Sequence, residues 1–247
     1  KEISIEDEVF NILIKGNNLL KAKNILICTG GHPSGRRLAK SLGHSIIQPV
    51  PSLFSLSTYE KSLESCSGIS LNVKTTLTVK QKKYSETGTI LITHKGFSGP
   101  VILRLSAFGA RNLHANKYMA ELRINWLCLS ENEVRSKIDL YKIENGKKLV
   151  LNNKPFNQLP RSLWKALSLS ENIDSQLKWS NLSKYQKESL VKCLTMKSYS
   201  ISSRGPFGEE FVTAGGVSLK EINFKTMESK LCKGLFFAGE VLDIDGI

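Results

Sequence analysis

The spacing of apolar residues changes along the chain, and each spacing predicts a different kind of element. Two short apolar runs lie near the ends: ILIC at residues 25–28 leads into Thr29-Gly30-Gly31, and LFFA at residues 235–238 leads into Gly239-Glu240. Continuous runs of this length are typical of strands buried on both faces, as in a parallel sheet. After the first run, the segment SGRRLAKSLGHSI follows a helical period through Leu42, and the predicted helix stops at Gly43.

Between these runs, alternation with a period of two predicts strands. Residues 69–80 alternate apolar and polar side chains, a second run begins after Gly88, and residues 118–129 form a third. A helix is predicted among them over residues 98–113, because Pro100 suits a first helical turn. This part of the chain is therefore expected to be a small sheet or barrel with one helix.

From residue 130 to about 196 the pattern becomes helical. Ser130 with Glu133, and Ser183 with Gln186, have the spacing of a capping box, and apolar residues at helical spacing follow each pair. A third apolar stripe occupies residues 159–167. These stripes predict the core of a helical bundle.

The patterns together predict a mixed α+β and α/β fold made of three parts. The glycine-terminated runs at both ends are expected to share one sheet, with the middle of the chain inserted. The predicted parts are residues 1–50 with 205–247, a β-rich, barrel-like insert of residues 51–129 with 197–204, and a helical insert of residues 130–196.

Composition narrows the class of protein. No apolar stretch approaches the roughly 18 residues of a membrane helix, and the five cysteines never form a CxxC pair. A soluble protein of the cytoplasm, or of another reducing compartment such as an organelle stroma, is expected, without membrane, disulfide framework or metal site. The net charge of +13 is spread along the chain without interleaved aromatic residues, which argues against a dedicated nucleic-acid role.

Glycines after buried strands are the strongest candidates for chemistry. A strand that runs into glycine lets the backbone approach a ligand at the carboxyl end of a sheet, which fits Thr29-Gly30-Gly31 and Gly239-Glu240. Glu240 is placed to accept a hydrogen bond from a ribose or ribityl hydroxyl. The turn at Gly215-Gly216 resembles these two, and Asp243 and Asp245 are either polar contacts or turn residues.

The segment THKGFSGP is a second candidate, because the amides of a helix N-terminus favour negative charge. For His94 a functional and a structural role are equally favoured, and Ser98 is either a contact or an N-cap. The other three histidines, His32, His44 and His114, are expected to be structural.

Four segments in order closely resemble the HI0933-like family of FAD-dependent oxidoreductases, also called the BaiN-type or aminoacetone-oxidase-like family. They are ILICTGG, THKGFSGPVILRLSAFGAR, FVTAGGVSLKEINFKTMESKL and LFFAGEVLDIDG. The resemblance spans nearly the whole chain. It implies a Rossmann-type FAD-binding domain, similar to that of glutathione-reductase-like flavoproteins, interrupted by a β-barrel and a helical bundle.

The resemblance also implies FAD as the cofactor and a small molecule as the substrate, with NAD(P)H or oxygen as the other redox partner. The cofactor-binding residues carried over are Thr29, Gly30, Gly31, Gly215, Gly216, Gly239, Glu240, Asp243, Asp245 and Gly246. The candidates for the substrate side are His94, Ser98 and Gly99. No catalytic acid or base is assigned, and the oligomeric state is not readable.

Two segments that are typical of the family do not occur in these 247 residues. Family members begin with a βαβ unit carrying GxGxxG and continue past the position of Ile247 into a helix against the flavin, and neither occurs in these residues. The FAD domain is therefore expected to be partial, and these 247 residues alone are expected to bind FAD weakly or not at all. Two alternatives stay open: a cofactor-free binding module with the same fold, and a flavoprotein that acts on RNA.

Overall fold

The computed structural model describes residues 2–14, 18–205 and 212–245. The strands in these ranges are β1 (Glu2–Glu6), β2 (Val9–Ile14), β3 (Asn18–Ala22), β4 (Ile25–Ile27), β5 (Val50–Ser52), β6 (Leu56–Thr58), β7 (Ser70–Val79), β8 (Lys82–Thr93), β9 (Gly96–Ser98), β10 (Ala120–Asn125), β11 (Lys197–Arg204), β12 (Val212–Ala214), β13 (Ile222–Asn223), β14 (Glu228–Ser229) and β15 (Leu235–Phe237). The α-helices are α1 (Pro33–Ser41), α2 (Pro100–Phe108), α3 (Ala110–Ala115), α4 (Glu131–Glu144), α5 (Arg161–Ser170) and α6 (Lys184–Met196). Within the described ranges, no helix is both long and apolar enough to cross a membrane.

The chain divides into two compact units. We call Lys1–Ser52 together with Glu210–Ile247 the terminal unit, and Leu53–Glu209 the central unit. Each unit has its own cluster of buried apolar side chains. The two are therefore described separately.

The terminal unit contains a four-stranded sheet with the order β13-β14-β15-β4. Strands β15 and β4 come from opposite ends of the chain and pair in parallel, with Phe237 opposite Ile27. Strands β1, β2 and β3 form a separate antiparallel sheet, and β5 pairs with β12 so that Ser52 lies opposite Val212. The expected sheet shared by the two ends of the chain is thus present.

The apolar run in β4 is buried less completely than its composition predicts. Ile27 is buried, but the side chain of Leu26 is 56% exposed. Among the described strands, β4 pairs with β15 alone. The expectation of a strand buried on both faces is therefore wrong for Leu26, because Leu26 points to the face of β4 opposite Ile27, which lies in the buried cluster.

The central unit is built around a closed antiparallel barrel of six strands in the order β10-β11-β6-β9-β8-β7. Its inner face carries alternate apolar residues such as Val73, Leu77, Ile90, Ile92 and Leu122, all buried. Polar residues occupy the alternate positions, as expected for a sheet with one face toward water. The predicted α+β fold with a barrel is therefore confirmed.

Three helices, α4, α5 and α6, form the section that follows β10. The capping boxes predicted at Ser130 and Ser183 are both present. In each box the serine side chain accepts from the backbone amide three residues on, and the side chain of that residue accepts from the serine's backbone amide.

All three tryptophans and all six tyrosines of the chain lie in the central unit. Trp164 and Trp179 are buried, and their Nε1 atoms donate to backbone carbonyls at 2.9 and 3.0 Å.

Candidate functional site

The carboxyl ends of β4 and β15 lie side by side because the two strands are parallel. The amide of Ala238, just after β15, donates to the carbonyl of Ile27 at 3.2 Å. The predicted turn at Thr29-Gly30-Gly31 follows β4, and a 3-10 turn over Gly239–Val241 follows β15. We call Thr29, Gly30, Gly31, Thr213, Gly239 and Glu240 the strand-end site.

The carboxylate of Glu240 joins three separate segments at this site. Its Oε1 accepts hydrogen bonds from the amide of Thr213 at 2.6 Å and from Thr213 Oγ1 at 3.3 Å. A Cβ placed on Gly31 would lie 3.0 Å from the same oxygen. The carboxylate of Glu240 therefore packs closely against Gly31. Thr213 lies in β12, and the sequence gives no signal that it holds Glu240.

Gly30 and Gly239 expose bare backbone. Their φ angles are +57° and +75°, in the left-handed region that favours glycine. No atom of the described residues comes within 4 Å of the place where either Cβ would stand. Both turns can thus be approached closely by a ligand.

Gly215 and Gly216 are in a different situation, because protein backbone fills the space of a side chain. A Cβ on Gly215, where φ is +115°, would lie 2.7 Å from the carbonyl oxygen of Gln48. Gly216 exchanges two backbone hydrogen bonds with Ile47, at 3.0 and 2.8 Å. The amide of Gly216 is thus already engaged, and cofactor binding by these two glycines stays a prediction.

The remaining cofactor candidates follow the strand-end site in the sequence. Asp243 is half-buried and its amide donates to the carbonyl of Val217 at 2.9 Å, whereas Asp245 is exposed. Both aspartates also have further partners within the protein. Gly246 lies outside the described residues.

Helix α1 begins two residues after Gly31 and carries Arg36, a cation next to the strand-end site in the sequence. The ring of His32 caps the helix, accepting from the amide of Ser34 at 3.2 Å. Gly35 is required because a Cβ there would overlap Thr29 Oγ1. Nη1 of Arg36 is buried and has no hydrogen-bond partner among the described residues.

His44 is buried and has a partner at each ring nitrogen. Nδ1 lies 3.0 Å from Glu221 Oε2, and Nε2 lies 3.0 Å from Ser229 Oγ. Burial raises the pKa of Glu221, but hydrogen bonds from Ser45 and His44 outweigh it, so that this pKa is lowered. The geometry agrees with the structural role expected for His44.

The substrate-side candidates belong to the barrel of the central unit. His94 is exposed in the turn between β8 and β9, and Ser98 Oγ accepts from Ser55 Oγ at 2.7 Å. Gly99 has φ +91° at the start of α2, where a Cβ would lie 2.8 Å from the amide nitrogen of Leu91. The role of these three residues toward a substrate stays a prediction.

These features define a class of protein in which a closed barrel and three helices interrupt a sheet domain whose parallel strands end in glycine turns. The description "HI0933-like protein barrel and H2TH domain" matches residues 50–212 of the chain. The chain therefore belongs to the HI0933-like family, and the resemblance seen in the sequence is confirmed.

Three curated relatives are similar over most of the chain. The ribosomal RNA dihydrouridine synthase of Haemophilus influenzae is 29% identical and matches 100% of this chain over 60% of its own length. The 3-dehydro-bile acid delta(4,6)-reductase of Clostridium scindens is 29% identical and matches 88% of this chain over 53% of its own length. The ribosomal RNA dihydrouridine synthase of Escherichia coli is 26% identical and matches 91% of this chain over 55% of its own length. The chain thus spans between about half and three fifths of each relative.

Proposed function

We propose that the protein is an FAD-dependent oxidoreductase whose cofactor lies against the strand-end site. The observation that carries this proposal is the pair of open glycine turns, at Gly30 and Gly239, on the adjacent ends of two parallel strands. Ligands of open α/β sheets bind beyond the carboxyl ends of the strands. The family and the relative named as a reductase support the same class of activity.

The residues present fit a dinucleotide. Backbone at Gly30 and Gly239 can approach a pyrophosphate or a flat ring, and the unpaired Nη1 of Arg36 offers a cationic donor on the adjoining helix. Both described hydrogen bonds to Glu240 use Oε1, so Oε2 can accept from a sugar or ribityl hydroxyl. FAD supplies the hydride chemistry when bound, while the protein orients it and excludes water. NAD(P)H or oxygen completes the proposed redox cycle.

Glu240→Gln tests this proposal in the full-length protein as its gene encodes it. Gln keeps an oxygen for Thr213 but removes the charge, and hydrogen bonds to charged groups contribute about 1.5–3 kcal/mol. We expect FAD affinity, measured by calorimetry, to fall at least about tenfold. NAD(P)H oxidation should fall in parallel at limiting FAD.

Glu8→Gln is the matched control, because the side chain of Glu8 is 82% exposed in the same unit. It should leave FAD affinity unchanged. Full-length protein that is folded but binds no flavin would overturn the proposal and favour the cofactor-free binding module.

A flavoprotein that reduces a uridine base of ribosomal RNA is the second candidate. Two of the three relatives are named as ribosomal RNA dihydrouridine synthases, and one of them matches the whole chain. Incubation of the reduced protein with ribosomal RNA, followed by mass spectrometry of its nucleosides, tests it. A gain of two mass units in uridine supports this candidate, whereas turnover of enone substrates alone supports the small-molecule reductase.

A further inference from the structure

The positive charge of the chain is concentrated in the central unit. Residues 53–209 contain 24 Lys and Arg against 12 Asp and Glu, whereas the residues of the terminal unit contain 11 against 10. The charge that looks evenly spread along the sequence is therefore divided unevenly between the two units. Such a field attracts a polyanion over several ångströms.

The tight turn between β7 and β8 carries the densest group of these cations. Lys80, Lys82 and Lys83 are all exposed, and the backbone of Lys80 has φ +54°. This turn and helix α3 enclose a cleft of about 290 Å³, lined by Val79, Lys80, Gln81, Lys82, Asn112 and Ala115. Asn112 Nδ2 donates to Tyr84 Oη, which fixes the amide at the edge of the cleft.

A strip of three hydroxyl side chains and one arginine crosses the outer face of the barrel near this turn. Ser85, Thr76, Arg123 and Ser198 stand in register on β8, β7, β10 and β11. Thr76 Oγ1 and Ser85 Oγ lie 2.9 Å apart. Glu121, on the same face of β10, pairs with Arg123 at 3.0 Å and accepts a hydrogen bond from Ser198 Oγ at 3.2 Å. The cations available to a phosphate are therefore the lysines of the β7–β8 turn.

We propose that the β7–β8 turn and this strip bind the phosphate backbone of a structured RNA. The proposal rests on the RNA-modifying candidate function. Lysines and small hydroxyls suit phosphate and 2′-hydroxyl contacts, which position a protein on RNA without reading bases. The surface provides cations and hydroxyls without the aromatic platforms that single-stranded ligands stack on.

Binding of an in vitro transcribed ribosomal RNA domain to the full-length protein tests this surface. The variant Lys80→Gln/Lys82→Gln/Lys83→Gln should bind about tenfold more weakly or worse at 150 mM salt. Its slope of log affinity against log salt should be shallower by about 2, because about three phosphate contacts are lost. The triple variant Lys147→Gln/Lys148→Gln/Lys165→Gln removes the same charge from exposed positions of the same unit and should leave affinity within about twofold.

Equal losses in both triple variants would overturn the proposal, because net charge alone would then explain binding. Equally tight binding of a DNA duplex of the same length would overturn the choice of RNA. Circular dichroism confirms that each variant is folded. Flavin content is measured in parallel. A flavin-loaded protein that does not bind RNA overturns this proposal but not the proposed oxidoreductase. A protein that binds RNA through the turn but holds no flavin supports this proposal and overturns the proposed oxidoreductase.

Discussion

The glycines near the strand-end site fall into two groups that respond differently to an added side chain. Gly30 and Gly239 face open space, so that a methyl group costs only the strain of a positive φ angle. Gly215 and Gly216 lie against backbone atoms, so that a methyl group forces two segments of chain apart. The first group is suited to a ligand and the second to packing.

Gly239→Ala tests this distinction. We expect a loss of about 1–2 kcal/mol of unfolding free energy from backbone strain, measured by urea denaturation. FAD affinity should fall much further, by tenfold or more, because the methyl group occupies the proposed ligand space. Gly43→Ala is the control: φ is +90° and the space is equally open, but the position follows α1, away from the strand-end site. Equal FAD affinities of the two variants would contradict the assignment of Gly239.

The candidate site could be predicted from sequence only as far as local motifs extend. Glycines after an apolar run mark where backbone is exposed, and Glu240 follows one of them directly. The motif does not say whether a ligand or another stretch of backbone fills the space, which is why Gly215 and Gly239 look alike in the sequence. The contact between Thr213 and Glu240 joins residues 27 positions apart and depends on the tertiary fold.

At the scale of elements, the capping boxes set the starts of α4 and α6. In α6 the Ser183 hydroxyl accepts from the amide of Gln186 at 3.2 Å. The helix then buries Leu190, Val191 and Leu194 completely. The Ser183–Gln186 pair thus stabilises the first turn of α6, and burial of apolar side chains stabilises the rest of the helix.

Ser183→Ala is expected to cost about 1 kcal/mol, because the amide of Gln186 at the start of α6 loses its partner. For a chain of this size the melting temperature should fall by about 2–4 °C, measured by circular dichroism at 222 nm. Ser175→Ala replaces an exposed serine outside the helices and should leave the melting temperature unchanged. Equal shifts in the two variants would show that the cap contributes nothing.

A partly buried ion pair links the end of α5 to β11. Lys197 Nζ lies 2.8 Å from Glu171 Oε1, and the two side chains are 19% and 17% exposed. Burial raises the pKa of Glu171, but hydrogen bonds from Lys197 and Ser189 outweigh it and lower the pKa. Burial lowers the pKa of Lys197, but Glu171 raises it above its usual value.

These directions predict the pH dependence of stability. The Glu171 contribution is present above the unfolded pKa of about 4.3 and is lost as pH falls through the lower folded value. The Lys197 contribution is present below about pH 10.4 and is lost as pH rises through the higher folded value. Glu171→Gln should therefore cost about 1.5–3 kcal/mol at pH 7, and the difference should shrink as pH falls below the unfolded pKa of about 4.3.

Urea denaturation between pH 3 and pH 8 measures this difference. Glu144→Gln changes an exposed glutamate of α4 and should show no such pH dependence. A Glu171→Gln deficit that is the same at pH 3 and at pH 7 would mean that the lost stability is steric rather than ionic.

Strong periodic patterns predicted the long elements, and weak ones missed the short elements. The alternation over residues 69–80 became β7, and both capping boxes marked true helix starts. The strand predicted to begin after Gly88 is β8, but it begins at Lys82, because the polar residues 82–87 pair with β7 without an apolar pattern of their own. Strands β13 and β14 have two residues each, which is too few for a period to register in the sequence. Their pairing depends on the neighbouring strand β15, which a local pattern cannot show.

At the scale of the whole molecule, closure of the barrel makes the central unit self-contained. All six strands have two neighbours, so the barrel leaves no open sheet edge. Its core of buried apolar residues is separate from that of the terminal unit. The fold class and the two-ended sheet followed from the sequence, whereas the uneven charge emerged only once the units were defined.

Residues 50–212 expressed alone are expected to fold and to melt cooperatively, as measured by differential scanning calorimetry. A fragment of residues 50–196 lacks β11, which joins β10 to β6, and should be unfolded or aggregate because the barrel is left open. A non-cooperative melt of the longer fragment would show that the central unit depends on the rest of the chain.

Within these 247 residues every tryptophan and tyrosine lies in the central unit, which gives this stretch of chain a built-in optical probe. In a sample of these residues, fluorescence excited at the indoles reports on the central unit, since the terminal unit contributes neither indole nor phenol. A flavin bound at the strand-end site would absorb the light that Trp126, Trp164 and Trp179 emit. Energy transfer from these donors then measures the separation of cofactor and barrel in solution, without any added label.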